Sequence, residues 1–270
     1  MINKTLSKAN NRKFGRNCMN TKVTNIHLEK LSPHKIKFIK SLHLKKNRDA
    51  AQCLYLEGET FIKDLLAYFP ELVQELIIDQ DHTFAWQDLT IPVFSASSKD
   101  LERCSQLKTP KKLNAIVRFP AAKPWDGKGM VLLLDQIQDP GNLGSIIRTA
   151  DWYGIQHIFC SPNTVDFLNP KVMHSTMISA FRVNLHYQDL APLIKEYQTK
   201  AFGAFMEGQD FERIQAQDAQ LLVLGNEGRG ISPELAALLP NKLTIPRIGA
   251  AESLNVGVAT GILLQHFTKL

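Results

Sequence analysis

Two series of short apolar segments, separated by one Pro/Gly-rich break, organise this chain. Met1 to about Asn25 shows almost no hydrophobic periodicity, which predicts a mobile tail. From Ser32 the pattern turns helical. Ser32-Pro33 suits an N-cap and first helical position, with Ile36, Ile39, Leu42 and Leu44 on one apolar face. Lys35, Lys37, Lys40, Lys45, Lys46 and Arg48 line the opposite face, which predicts an amphipathic helix with a basic wet side. Cys53–Leu56 then reads as a buried strand and Thr60–Tyr68 as a helix facing inward through Phe61, Leu65 and Leu66. Leu76–Asp79, Val93-Phe94 and Ala115–Arg118 read as further short strands, with a helix around Ser98–Leu107.

The break is Pro120 to Gly129, whose composition is that of a linker. Met130–Ile137 follows as a continuous apolar run, the mark of a strand covered on both faces. Helices are predicted at 143–153, 170–179, 190–199, 233–239 and 254–267, and strands at 155–160, 182–186, 201–206, 221–224 and 242–246. That alternation predicts an α/β fold with a mostly parallel sheet. The expected organisation is a basic tail over 1–25, an α/β domain over 26–119, a linker over 120–129 and a second α/β domain over 130–270.

Composition narrows the class. A hydrophobic content of 44% with 21% charged residues is that of an ordinary soluble globular protein. No apolar run approaches the roughly 20 residues of a membrane span, and the N-terminus lacks the apolar core of a secretory signal. Cys18, Cys53, Cys104 and Cys160 form no CxxC pair and the histidines no ligand pattern, so neither metal nor disulfide is expected and the setting reads as cytoplasmic. Residues 1–50 hold 13 Lys and Arg against Glu29 and Asp49, a balance of +11, whereas the rest of the chain holds 19 against 24, or −5. The basic end is either a solvated tail or an attraction to a polyanion such as nucleic acid. An organelle-targeting segment is the third reading, disfavoured by its Asn-rich, Ser-poor composition.

Three turns concentrate small and polar residues. The first, within DQIQDPGNLGSIIRTADWYG, places Asn142 where an N-cap belongs, and capping alone would account for it. Arg148, between Ile147 and Ala150, calls for a carboxylate partner or an anionic ligand. The second is Gly225-Asn226-Glu227-Gly228-Arg229-Gly230, after the buried strand that ends at Leu224. Its GxxGxG order matches neither the dinucleotide fingerprint nor a Walker A loop, although glycines still let backbone approach a ligand closely. Glu227 falls near the strand's carboxyl end, where ligands of α/β sheets bind, or is a surface glutamate in a turn. The third runs from Ile245-Pro246 to Ser253-Leu254-Asn255, with Ser253 a fair N-cap and Asn255 in the first turn of an apolar helix.

In order and spacing, N142-LGSII-R148, L224-GNEGRG-I231 and I245-PRIGAAESLNVGVATGI-L263 resemble the signature motifs of the SpoU (TrmH-like) class of SPOUT RNA 2′-O-ribose methyltransferases. The resemblance spans about Met130 to Leu270, and LYLEGETFIKDLL is similar to the family's substrate-binding domain of ribosomal-protein L30e type. It implies a parallel sheet with a deep C-terminal trefoil knot, a homodimer that completes each active site from both subunits, and S-adenosylmethionine as cofactor without a metal. By motif position, Leu224, Gly225, Gly230, Ile245, Pro246 and Leu254 would hold the cofactor. Asn142, Arg148, Glu227, Ser253 and Asn255 would fall on catalytic positions, with Arg148 reaching the site from the partner subunit. The implied substrate is structured RNA, 23S-type rRNA ahead of tRNA. The competing reading is an RNA-binding or ribosome-assembly protein that keeps the fold without the activity. The chain departs from the family's common residues at Gly257 (often Ser), His174 (often Arg) and Ile178 (often Gly).

Overall fold

A computed structural model describes residues 28–82 and 90–268. The expected tail over 1–25 lies outside them. The N-terminal half begins with β1 (Glu29–Lys30), α1 (Pro33–Ser41), α2 (Lys45–Ala51), β2 (Cys53–Glu57) and α3 (Glu59–Tyr68). It continues with β3 (Val73–Asp79), β4 (Val93–Ala96), α4 (Ser98–Cys104) and β5 (Leu113–Arg118). These strands form one mixed sheet in the order β1-β4-β3-β5-β2. Ser32 caps α1 as expected, its hydroxyl accepting from Lys35 N at 3.2 Å.

The expected long basic helix is two helices. α1 stops at Ser41, Leu44 is exposed in the connection, and α2 turns the chain so that Arg48 is buried rather than wet. Its guanidinium closes the C-terminal end of α1 by donating to the carbonyls of Leu42 and His43, both at 3.0 Å, and reaches Asp166 Oδ2 at 2.7 Å. Lys35 is likewise drawn off the wet face by Glu75, at 2.7 Å. Lys37, Lys40, Lys45 and Lys46 remain exposed.

Asp166 belongs to the C-terminal half, so Arg48 ties the two halves together. Replacing it with Met is expected to lower stability by about 3 kcal/mol, because Asp166 loses its closest cation and two helix-end carbonyls lose their donor. The melting midpoint should fall by roughly 6–12 °C. Arg48→Lys should recover little of this, since one ammonium does not span the three acceptors. A midpoint unchanged in Arg48→Met would show the tie to be incidental.

The C-terminal half runs β6 (Val131–Leu134), α5 (Pro140–Trp152), β7 (His157–Cys160), α6 (Pro170–Thr176), β8 (Asn184–Tyr187) and α7 (Ala191–Glu196). It closes with β9 (Ala201–Asp210), β10 (Leu221–Leu224), α8 (Pro233–Ala236), β11 (Asn241–Thr244) and α9 (Val256–Phe267). All six strands are parallel, in the order β11-β9-β10-β6-β7-β8. Leu132 and Leu134 point to one face and Val131 and Leu133 to the other, each into a separate buried cluster, which explains the unbroken apolar run. The order reverses between β6 and β10, and at such a reversal the loops leaving the strands' carboxyl ends part to form a crevice.

The halves share a core. Met173, Ile178 and Phe181, from α6 and the 3-10 turn after it, pack among Leu54, Leu56, Phe61 and Leu65 of the first half. Ile178, where glycine is common in the family, is thus an interface side chain. The Pro/Gly-rich stretch between the halves is pinned as well. Trp125 packs against Phe159 and Tyr197, and Lys123 N donates to Asn184 Oδ1 at 2.8 Å.

Candidate active site

α5 starts one turn earlier than the apolar pattern indicates. Asp139 is its N-cap, its Oδ1 accepting from Asn142 N at 2.9 Å, and Pro140 takes the first helical position. Asn142 is therefore relieved of capping, and its side chain turns into the crevice. There Nδ2 donates to Glu227 Oε1 at 2.7 Å and Oδ1 accepts from Asn255 Nδ2 at 2.8 Å. Asn142 joins all three turns: its own after β6, that of Glu227 after β10, and that of Asn255 before α9. The bonds span 85 and 113 residues of sequence.

Asn255, not Ser253, caps α9, with Oδ1 accepting from Gly257 N at 2.9 Å and Val258 N at 3.3 Å. The helix accordingly begins at Val256. Asn255 is exposed, and its side chain bonds Asn142, Gly257 and Val258. Ser253 is exposed, and its hydroxyl makes no hydrogen bond among the described residues. A side chain at Gly257 would press on Ser145 Cβ at 3.3 Å and Asn255 Oδ1 at 3.2 Å. The glycine there lets α9 lie close along α5.

Arg148 does not find the partner that its apolar neighbours call for. It is exposed on α5, with no ion pair or side-chain hydrogen bond among the described residues. Ser145, Arg148, Thr149 and Trp152 share one face by their spacing, and Trp152 is 85% exposed. Val258 of α9 is 52% exposed beside the same helix–helix seam. A guanidinium with no partner among the described residues thus stands on a surface shared with two hydroxyl residues and the exposed Trp152 and Val258.

Of the six expected cofactor positions, Leu224 is withdrawn from the crevice. Its side chain is in the core and its carbonyl accepts from Asp135 N at 2.8 Å. The wall begins at Gly225. Gly230 needs its glycine because φ is +71°. Ile245 is half-buried against the core, while Pro246 and Leu254 are exposed, Leu254 at 49%. Among the described residues, no backbone–backbone hydrogen bond engages residues 245–254 apart from the strand pairing. Apart from the Ala251 carbonyl, which accepts from Arg247 Nη1 at 3.2 Å, this loop presents unspent amides and carbonyls beside exposed Leu254 and Ile248. That combination suits an adenosyl group, which has an apolar ring face and a polar edge. A cleft of about 570 Å3 lies elsewhere, lined by Lys123, Asp126, Asp151, His157 and Arg182. It lies at the far end of α5, on the order of 14 Å along the helix from Asn142. Its most prominent charges, Arg182 and Asp151, are already paired at 3.2 Å.

Sequence reasoning passed over Asp139, Asn226 and Gln136. Asp139-Pro140 repeats the Ser32-Pro33 signal, so the helix start was legible. Gln136 carries φ +57° in a chain segment without glycine, and nothing in its sequence announces that.

A parallel sheet with a loop-built crevice at its point of reversal, carrying a second α/β module on a shared core, defines a two-module α/β protein. Residues 129–265 match the SpoU rRNA Methylase family and residues 33–115 the MRM3-like substrate binding domain. The chain belongs to the SpoU rRNA methylase family. It is 32% identical over 245 residues to the 23S rRNA (guanosine(2553)-2'-O)-methyltransferase RlmP of Bacillus subtilis, covering 88% of this chain and 98% of that one. A TrmH-family structure from Porphyromonas gingivalis is 34% identical with a TM-score of 0.75, over 88% and 98% of the two chains. The AdoMet-bound rRNA methyltransferase of Sinorhizobium meliloti is 25% identical with a TM-score of 0.72, over 89% and 96%.

Proposed function

We propose that this RNA methyltransferase uses S-adenosylmethionine to methylate a ribose 2′-hydroxyl in structured RNA, with 23S-type rRNA ahead of tRNA as the substrate. The observation that carries this reading is the Asn255–Asn142–Glu227 chain, which holds three distant loops in one constellation. The cofactor, when bound, supplies an electrophilic methyl on a sulfonium sulfur. Residues 225–230 and 245–254 are its two walls, through Gly225, Gly230, Ile245, Pro246 and Leu254.

The ribose hydroxyl is a weak acid and loses its proton as its oxygen attacks. Arginine stays protonated in proteins, so Arg148 is not the base. Its role is to stabilise the charge developing on that oxygen and to clamp the neighbouring phosphate. Glu227 or solvent takes the proton. Asn142 fixes Glu227 through a 2.7 Å bond, and Asn255 fixes Asn142, so both act by positioning. Ser253, exposed and unspent, is placed to contact RNA.

Arg148 and the exposed Trp152 and Val258 favour a homodimer in which Arg148 serves the partner's crevice. α9 packs Phe267 against Phe202 and bonds His266 Nε2 to Ile214 O at 2.8 Å, over the segment joining β9 to β10. This covering supports a C-terminal trefoil knot. Residues 26–119 recognise RNA and 130–270 carry the chemistry, linked by 120–129. Exposed Lys37, Lys40, Lys45 and Lys46 give the first part a phosphate-attracting side. No helix among the described residues is long and apolar enough to cross a membrane, and a cytoplasmic setting fits a ribosomal substrate.

The test is to map ribose methylations in total RNA from cells with and without this gene, alongside label transfer by the purified chain. One 2′-O-methyl lost from 23S-type rRNA, and restored in vitro, is expected. An unchanged map together with no transfer to rRNA or tRNA would favour the inactive RNA-binding reading.

A further inference from the structure

Asn226 lies between Gly225 and Glu227, to both of which the proposed function gives a role, and has none itself. Its side chain makes three hydrogen bonds, as many as that of Asn255 and more than those of the other catalytic candidates. Nδ2 donates to the Gln136 carbonyl at 2.8 Å, across 90 residues of sequence. Oδ1 accepts from Gly228 N at 3.0 Å and Arg229 N at 3.1 Å. Its backbone exchanges bonds with Gly230 in both directions, at 2.9 and 2.8 Å. One N–H and both lone pairs of the amide group are thus occupied by main-chain partners on two loops.

The other end of this link is strained. Gln136 holds φ +57°, a conformation that costs a non-glycine residue about 1–2 kcal/mol. It is fixed at its amide by Ser161 Oγ at 2.8 Å and at its carbonyl by Asn226. Gln136 starts the turn that leads to Asp139, the cap of α5, and so to Asn142. Asn226 starts the turn that carries Glu227. The direct contact between the turns, Asn142 Nδ2 to Glu227 Oε1, lies on exposed and half-exposed side chains. A flexible glutamate does not hold such a contact by itself against solvent competition.

We infer that Asn226 is a positioning residue for the methyl-transfer reaction: by locking the Glu227 turn to the strained Gln136 carbonyl, it sets the Glu227–Asn142 geometry. This rests on the functional reading above. Neither chemistry nor cofactor contact is required of the amide. A donor toward Gln136 and an acceptor toward the turn amides are required together, at one side-chain length, and only asparagine supplies both.

Asn226→Asp separates these requirements. It is nearly isosteric and keeps an acceptor for Gly228 and Arg229, but when ionised it sets oxygen against the Gln136 carbonyl. When protonated it donates there again. At pH 8 the variant's kcat is expected to fall about 100-fold, with the KM for RNA held, as a small misplacement of reacting groups does. As pH is lowered toward 5.5, the variant-to-wild-type ratio of kcat should climb, because a carboxylate held against the Gln136 carbonyl is pushed above the usual carboxylate range and regains its donor there. Glu227 and Arg229 on the same turn, Asp135 at the end of β6 and Asp139 at the start of α5 are the other charged groups facing this junction. All are present in both proteins, so the ratio removes their titration.

Asn226→Ser provides the second variant. Its hydroxyl is too short to reach Gln136, so its loss should be similar in size and independent of pH. Thermal midpoints measured on both variants at each pH assign the effect to the site when they stay within a few degrees of wild type. A ratio flat with pH in Asn226→Asp, or full activity in Asn226→Ser, overturns the inference while leaving the methyltransferase reading intact. Failure of the wild-type chain to transfer methyl overturns that reading instead.

Discussion

Arg148→Ala is expected to reduce methyl transfer by about 100- to 1000-fold, the loss typical of removing one preorganised charge-stabilising donor. S-adenosylmethionine affinity should stay within about threefold. Both halves of this expectation come from where the residue stands. Arg148 is exposed, makes no ion pair among the described residues, and shares a face of α5 with Trp152 by its spacing. Removing it takes nothing from the fold, so the thermal midpoint should hold. Arg148→Lys keeps the charge but loses the planar fork, and should recover only part of the activity. Single-turnover transfer with labelled cofactor, paired with a direct binding measurement, checks this. Unaltered turnover in Arg148→Ala would remove Arg148 from the mechanism. If Arg148 acts across a dimer, mixing inactive Arg148→Ala with an inactive crevice variant should restore activity at one site per heterodimer.

Gly225→Ala should be as damaging, by another route. A Cβ there would stand 2.2 Å from Gly230 C and Ile231 N and 2.4 Å from Gly230 O, all main-chain atoms that no rotamer change can move. The two sides of the turn must part, which breaks the paired bonds between Asn226 and Gly230. Loss of cofactor binding by more than about tenfold is expected, with loss of activity and about 1–3 kcal/mol of stability. Gly228→Ala is the control, since its Cβ would meet nothing nearer than Asn226 Oδ1 at 3.7 Å. Cofactor affinity measured for the pair decides the matter, and wild-type binding by Gly225→Ala would show that the turn has slack. The glycine is demanded by the chain's own closure, and its service to a ligand follows from that.

Several features were open to sequence reasoning because they arise within a few residues. Alternating apolar runs predict the parallel sheet, and a continuous run marks β6 as covered on both sides. Ser32-Pro33 predicts the start of α1. The three turns stand out because small and polar residues crowd where buried strands end. Errors fell where a local rule met a distant partner. The periodicity of 36–48 is helical throughout, yet the chain breaks after Ser41, and Arg48 leaves the wet face because Asp166, 118 residues later, pairs with it. Ser253 is a good cap by type, but Asn255 takes the position once its amide is also bound to Asn142.

By itself, then, the sequence determined most of the elements, their order, the loops that carry the candidate site and the family they signal. Helix periods, caps and buried strands depend on neighbours within one or two turns of chain, and those are written in order. Tertiary structure alone decided that Asn142 is the hub between Glu227 and Asn255, that Arg148 has no partner among the described residues, and that Asn226 reaches a strained carbonyl at Gln136. Each depends on hydrogen-bond geometry between segments some 85 to 113 residues apart, or on the absence of a partner there. Only the closing of the sheet at the β6–β10 reversal brings those segments within reach.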